Sequence, residues 1–93
     1  NSLNTNTTGY QNTAIGHSAL LTNATGFKNT ATGFEALKYN DTGKWNTANG
    51  TYSMISNTVG NNNTGIGYKS LFLNTTGSLN SALGAHALND NTT

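Results

Sequence analysis

The stretch Asn12-Thr13-Ala14-Ile15-Gly16 begins a unit that returns four more times along the chain. The later copies keep the same order of residue types, and each lies 17 residues after the one before it, without an insertion. They are Asn29-Thr30-Ala31-Thr32-Gly33, Asn46-Thr47-Ala48-Asn49-Gly50, Asn63-Thr64-Gly65-Ile66-Gly67 and Asn80-Ser81-Ala82-Leu83-Gly84. A fixed period of this length is typical of a repeat protein, in which each repeat packs only on its neighbours.

The repeats also set the domain organisation. Five copies cover residues 8–92. Residues 1–7 are interpreted as the end of a preceding repeat, because Leu3 lies one period before Leu20. The sequence therefore predicts one solenoid segment of a longer fibre.

The composition agrees with a solenoid rather than an ordinary globular domain. Hydrophobic residues make up 33% of the 93 residues and charged residues only 8%, so neither a large core nor a charged disordered chain is indicated. Two short segments in each repeat, 12–15 and 18–21 in the first, suit short strands and are too short for an ordinary helix. One strand-turn-strand-turn per repeat predicts an all-β parallel β-solenoid, or β-roll, of about five 17-residue coils.

Residues at the same place in successive repeats form columns, and each column has a predicted environment. The column of Leu20 is large and apolar in every repeat, so it is expected to fill the core, and the column of Ala14 is small enough for a narrow interior. Alternation along a strand would place the column of Ala19 on the face opposite Leu20. The predicted structural core is Leu20, Leu37, Met54, Leu71, Leu88, Ala14, Ala31, Ala48 and Ala82.

Glycine and asparagine columns are expected at the turns. The glycine after Thr8 and its equivalents is predicted to need positive φ, and the glycine that ends each Asn-Thr-Ala-Ile-Gly unit is predicted at a corner with no room for Cβ. These turn glycines are Gly9, Gly26, Gly43, Gly60 and Gly77, and Gly16, Gly33, Gly50, Gly67 and Gly84. Asparagines in the column of Asn23 are expected to hydrogen-bond along the stack.

Other columns vary so freely, from aromatic residues to lysine, that they are expected to form exposed loop tips. Their aromatic residues could contact a glycan or a host-surface protein. The possible ligand-contact tips are Tyr10, Phe27, Phe34, Trp45, Tyr52 and Tyr68.

The repeats resemble the head repeats of trimeric autotransporter adhesins of the YadA-like type, and similar repeats occur in phage tail fibres. The best matches are 12–16 with Ala19, 63–67 with Ser70, and 80–84 with Ala87. The resemblance implies a left-handed parallel β-roll, a homotrimer about a common axis, and an extracellular place on a bacterial surface or a virion. Here the unit is a few residues longer than the usual head unit, and the third repeat departs most, with Asn49 and Met54.

Nothing in the sequence favours catalysis, a cofactor or a metal. Glu35, Asp41 and Asp90 occupy different columns, as do His17 and His86, so neither a carboxylate pair nor a repeated ligand set is present. The formal net charge of +1 argues against nucleic acid, and no apolar run predicts membrane insertion. The sequons 6–8, 23–25, 40–42 and 74–76 are interpreted as turn chemistry rather than glycosylation sites.

The sequence therefore predicts a structural and adhesive repeat segment of a surface or tail fibre, which attaches through its loop tips. One alternative is a purely structural extracellular filament or spacer without a ligand. A second is an ice-binding β-solenoid, because the column Thr13, Thr30, Thr47, Thr64 and Ser81 is regular.

Overall fold

Each repeat contributes one three-residue strand, and the five strands lie side by side in a single parallel sheet. The computed structural model describes residues 1–93 and contains no helix. The strands are β1 (Thr13–Ile15), β2 (Thr30–Thr32), β3 (Thr47–Asn49), β4 (Thr64–Ile66) and β5 (Ser81–Leu83). The all-β parallel solenoid predicted from the period is confirmed.

The register of the sheet stacks each column on itself. Thr13 pairs with Thr30 and Ala14 with Ala31, and the same 17-residue step relates all four strand pairs. β-Branched residues at the two ends of most strands suit extended backbone, while the small central residue fits the interior. The strand therefore turns its middle side chain inward and its two flanking side chains toward solvent.

The prediction of a second strand in each repeat is wrong. Residues 18–21 and their equivalents form turns, with left-handed φ values at Ser18 (60°) and Leu20 (50°). The coils remain hydrogen-bonded there, since the backbone N–H of Leu20 donates to Ala36 O at 3.0 Å. Three non-glycine columns adopt this conformation, at a cost of about 1–2 kcal/mol per residue. Tertiary hydrogen bonding and core packing offset that cost.

This turn also corrects the predicted direction of Ala19. Strand alternation does not apply to a backbone that is not extended, so Ala19 and Leu20 both point inward and both are fully buried. Ala36 and Ser53 repeat the arrangement. The core is correspondingly broader than one apolar column.

The buried core contains most of the predicted core residues. Leu20, Leu37, Met54 and Leu71 are fully buried along one line of the stack, and alanines of the Ala14 column pack beside them. Ala14 itself is only partly buried. Leu88, the member of this column in the fifth repeat, differs, because 46% of it is exposed.

The two glycine columns are needed for different reasons, and one prediction about them is wrong. Gly43 and the other members of the Gly9 column do not adopt positive φ. Instead, a Cβ at Gly43 would lie 2.6 Å from Gly60 O in the next coil. Gly33 in the second column has φ of 131°, and a Cβ there would lie 2.7 Å from Gly50 O. Close stacking of coils excludes a side chain in both columns, and positive φ adds to this only in the second.

Candidate functional site: two aromatic ridges on a self-satisfied core

The predicted asparagine stack lies inside the solenoid rather than on its surface. Asn40 Nδ2 donates to Asn23 Oδ1 at 2.7 Å in the coil below and to Gly43 O at 2.9 Å in its own turn. Asn57 Nδ2 in turn donates to Asn40 Oδ1 at 2.8 Å. Both ends of the Asn40 amide are therefore used, and the amide of Asn57 continues the same pattern.

A second asparagine ladder was missed by the sequence reasoning. Asn29 is fully buried; its backbone N–H donates to Asn12 Oδ1 at 2.9 Å, and its Nδ2 donates to Gly43 O at 2.8 Å. Asn46 and Asn63 repeat this pattern. The available signal was that this position is asparagine in all five repeats, which a merely strand-starting residue does not need to be.

The asparagine ladders determine whether the sequon asparagines are available for glycosylation. Glycan attachment requires a free Nδ2, but Asn23, Asn40 and Asn74 are fully buried and donate from that atom to neighbouring oxygens. The folded chain therefore offers none of these three asparagines for modification. Their recurrence follows from the hydrogen bonding of the turn.

The six predicted loop-tip residues divide into two separate ridges along the outside of the coils. The first, the Trp45 ridge, consists of Tyr10, Phe27, Lys28, Lys44 and Trp45. Tyr10 and Phe27 stack with ring centroids 4.7 Å apart and planes 5° from parallel, and Trp45 stands at 75° to Phe27. Lys44 Nζ lies 5.2 Å from the Phe27 ring and 5.5 Å from the Trp45 ring.

The second, the Tyr68 ridge, consists of His17, Phe34, Tyr52, Tyr68, Lys69, Phe72 and His86. Its rings contact one another from the first repeat to the fifth: His17 stacks on Phe34 at 5.4 Å, and Tyr68 meets His86 edge-on at 5.3 Å. Lys69 Nζ lies 5.2 Å from the Phe72 ring and 5.3 Å from the Tyr68 ring. Cation–π attraction of this kind holds an ammonium against the rings.

Sequence reasoning found six rings at the tips and placed Lys44 in the column of Tyr10 and Phe27. It did not include His17, Lys69, Phe72 and His86 among the candidate contact residues. The signal was available for three of them, because His17 shares the column of Phe34, and Lys69 and His86 share that of Tyr52. Their contacts with the rings are seen only in the structure.

The outer face of the sheet is a third exposed surface. It carries the Thr13 column and, beside it, the mixed column of Ile15, whose members Ile15 and Leu83 are 61% and 81% exposed. Thr13, Thr30 and Thr47 are exposed as well. Ile15, Ile66 and Leu83 share this column, and apolar side chains exposed together on one face are a feature of association surfaces.

The charged groups are few. Lys38 Nζ pairs with Glu35 Oε1 at 3.0 Å, the one ion pair in the structure. The hydrogen bond from Lys38 to the Glu35 carboxylate raises the pKa of the lysine, against a smaller opposing effect of burial. His, Asp and Glu form no group of three that could hold a metal ion.

The surface contains no concave pocket, and no helix is present that could cross a bilayer. Comparison with protein-family models, with curated proteins and with solved structures gave no match.

Proposed function

We propose that this chain is a stiff structural and adhesive segment of an extracellular fibre, on a bacterial surface or a virion, and that its aromatic ridges make the attachment. The observation that carries the proposal is that the two aromatic ridges are exposed although the buried core is complete without them. Buried asparagine ladders and the Leu20 column already satisfy the interior.

The ridges suit attachment because their rings combine apolar area with polar edges. Trp45 and Tyr68 are 45% and 44% exposed, and amphipathic aromatic residues of this kind are enriched where proteins bind partners. Contacts between neighbouring rings limit their motion, so little side-chain entropy is lost on binding.

The backbone supplies the mechanical part of the function. Hydrogen bonds run from coil to coil along the stack in the sheet, in the turns and through the asparagine amides. A load along the axis is therefore shared among several bonds at every step. The same ladders can continue through further repeats, because each coil presents the same pattern to the next.

A homotrimer is part of the proposal. The sheet face presents Ile15, Ile66 and Leu83 to solvent, and packing these faces about a common axis would remove that apolar surface from water. The rings of both ridges belong to residues outside the strands, so packing of the strand faces leaves them available for attachment in this proposal.

The first test is the solution mass of the purified chain by light scattering, with far-UV circular dichroism on the same sample. A folded β species of three times the chain mass is expected. A folded monomer would contradict the trimer, and the variant Ile66→Asp is expected to convert the trimer to monomer while Asn49→Asp, on the same face, changes the mass less.

The second test is binding to a glycan array. Tyr68→Ala introduces the residue that Ala85 supplies in the same column, and Tyr39→Ser, outside both ridges, introduces the residue that Ser56 supplies. Loss of array signal in Tyr68→Ala or in Trp45→Leu, but not in Tyr39→Ser, is expected. A folded trimer that binds nothing would contradict attachment and favour the purely structural spacer.

Ice binding is the second candidate, favoured by the exposed Thr13 column on an in-register parallel sheet. It predicts thermal hysteresis that Thr47→Tyr abolishes. Absence of hysteresis in the folded chain would exclude it.

A further inference from the structure

We propose that the Trp45 ridge binds a linear acidic polysaccharide, with sugar rings against its aromatic faces and sugar carboxylates against Lys28 and Lys44. This inference rests on the proposed function, because it names the class of ligand that an attachment ridge would take.

Ring orientation provides the platform. The 4.7 Å separation and 5° angle of Tyr10 and Phe27 match the spacing of about 4.8 Å between stacked strands, so these two rings follow the step from coil to coil. Trp45 is turned 75° from Phe27, so the indole does not continue that stack. The indole is 45% exposed, and the C–H face of a sugar packs well on such an aromatic surface.

Charge selects the ligand. Lys28 and Lys44 form no ion pair, whereas Lys38 is paired with Glu35. The two columns that build the ridge contain no Asp or Glu in any repeat. Lys44 Nζ is held beside the indole and has no carboxylate within ion-pair distance, so an arriving sugar carboxylate can form a charge-assisted hydrogen bond with it.

The shape of the surface favours a linear polymer. No concave pocket is present that could enclose a small ligand, and the ridge extends along the coils instead. Above Trp45 the same two columns continue as Asn61 and Asn62, which are partly or fully exposed and supply amide groups for sugar hydroxyls. A polymer can therefore contact several repeats in register.

A single-stranded nucleic acid also stacks on rings and pairs with lysine. Its binding rests mainly on neutralising many phosphates, and this chain has four lysines, no arginine and a formal net charge of +1. The observations favour the sugar polymer.

The chain carries its own reporter, because Trp45 is its only tryptophan. Titration of the purified chain with polygalacturonic acid is expected to change Trp45 fluorescence in a saturable way, less so at high salt. Neutral dextran is expected to leave it unchanged. Equal responses to dextran, or no response to polygalacturonic acid, would overturn the proposal, as would tighter binding of oligo(dT) than of polygalacturonic acid.

Two matched variants localise the effect. Lys44→Asn and Lys38→Asn each remove one positive charge, and each introduces the residue that its own column has elsewhere, at Asn61 and Asn89. Lys44→Asn is expected to weaken binding at least about tenfold and Lys38→Asn less than about twofold. Equal losses would show that only net charge matters, which contradicts a defined site.

Trp45→Leu tests the platform by affinity electrophoresis, which needs no fluorescence. Leu79 occupies this column at φ of 63°, so the backbone accepts leucine, and circular dichroism checks the fold. Loss of retardation by polygalacturonic acid is expected, and unchanged retardation would overturn the proposal. A trimer that binds neutral glycans through the Tyr68 ridge would refute the acidic ligand alone, whereas a monomer silent on the array would refute the proposed function itself.

Discussion

The asparagine ladders inside the solenoid and the aromatic ridges outside it follow the same 17-residue step, yet they differ in how much variation they accept. The Asn23 and Asn12 columns are asparagine in all five repeats, whereas the column of Tyr10 contains Phe27, Lys44, Asn61 and Ser78. Inside, each amide has a donor and an acceptor partner at fixed positions. Outside, a ring needs only a neighbour to touch. A buried hydrogen bond has a fixed direction, and no water can replace a lost partner, so these positions accept only asparagine. Packing of rings on the surface tolerates other side chains.

The largest effect is expected from Leu37→Asp. Leu37 is fully buried in the middle of the apolar column, and a carboxylate there has no partner. We expect a loss of at least about 4 kcal/mol in the free energy of unfolding, enough to unfold the chain. Circular dichroism during urea titration measures it, with Thr25→Asp as control, because Thr25 is exposed in a turn outside the sheet. Similar melting of both variants would place Leu37 outside the core.

Asn40→Asp is expected to lower the free energy of unfolding nearly as much as Leu37→Asp does. The loss is expected near neutral pH and not at acidic pH. The new oxygen would face Asn23 Oδ1 and Gly43 O, which accept from the amide in the parent chain. Burial raises the pKa of such a carboxyl above that of the unfolded chain, about 3.9. Stability is therefore retained below that pH and lost as pH rises, by about 3–5 kcal/mol near neutrality.

Urea titrations of Asn40→Asp across pH 3–7 measure this loss. Asp41→Asn is the matched control, because Asp41 is the exposed neighbour. A pH-independent defect in Asn40→Asp would contradict the role assigned to the amide.

Two serine substitutions in the second repeat compare the buried asparagine ladder directly with the exposed Trp45 ridge. Asn29→Ser removes a buried amide with two hydrogen bonds and is expected to cost about 2–3 kcal/mol. Phe27→Ser introduces the residue that Ser78 has in that column, and it is expected to cost about 1 kcal/mol through lost ring stacking. Thermal melts rank the two. A larger loss for Phe27→Ser would mean that the ridge is part of the core.

The smallest effect is expected from Glu35→Gln, which removes the one ion pair. Because Glu35 raises the pKa of Lys38 above its ordinary value of 10.5, the pair stabilises the fold below that pH. Its contribution is lost as pH rises through the raised pKa of Lys38. Parent and variant should therefore differ slightly near neutrality and converge above pH 10.5, as followed by melting temperature against pH. A difference that persists at high pH would show that the carboxylate acts through another contact.

The period, the parallel stacking and the main apolar column could be predicted because each depends on residue type at fixed spacing. The turn at residues 18–21, where a second strand was predicted, could not be predicted in this way. Leu20 and Ser18 carry no local signal for left-handed φ, and that conformation exists only because the coils above and below bond to it. The reason for glycine in the Gly9 column was hidden in the same way, since the obstructing atoms are the asparagine Oδ1 of the same turn and a glycine carbonyl oxygen of the next coil, and the stacking brings both close.

The candidate surfaces could likewise be predicted only in part. Sequence variation pointed to six exposed rings, but their division into two ridges depends on side-chain orientation. So does the placing of Lys44 and Lys69 over ring faces.

The amino-acid sequence by itself determined that this protein is a stack of identical coils, because a strict repeat with few large apolar groups can bury itself only against copies of itself. Only the tertiary structure decided which asparagines lie in its interior and which non-glycine residues adopt left-handed φ. It also decided which rings and lysines share a surface. Those properties arise between coils, where atoms 17 positions apart in the chain come within hydrogen-bonding or stacking distance.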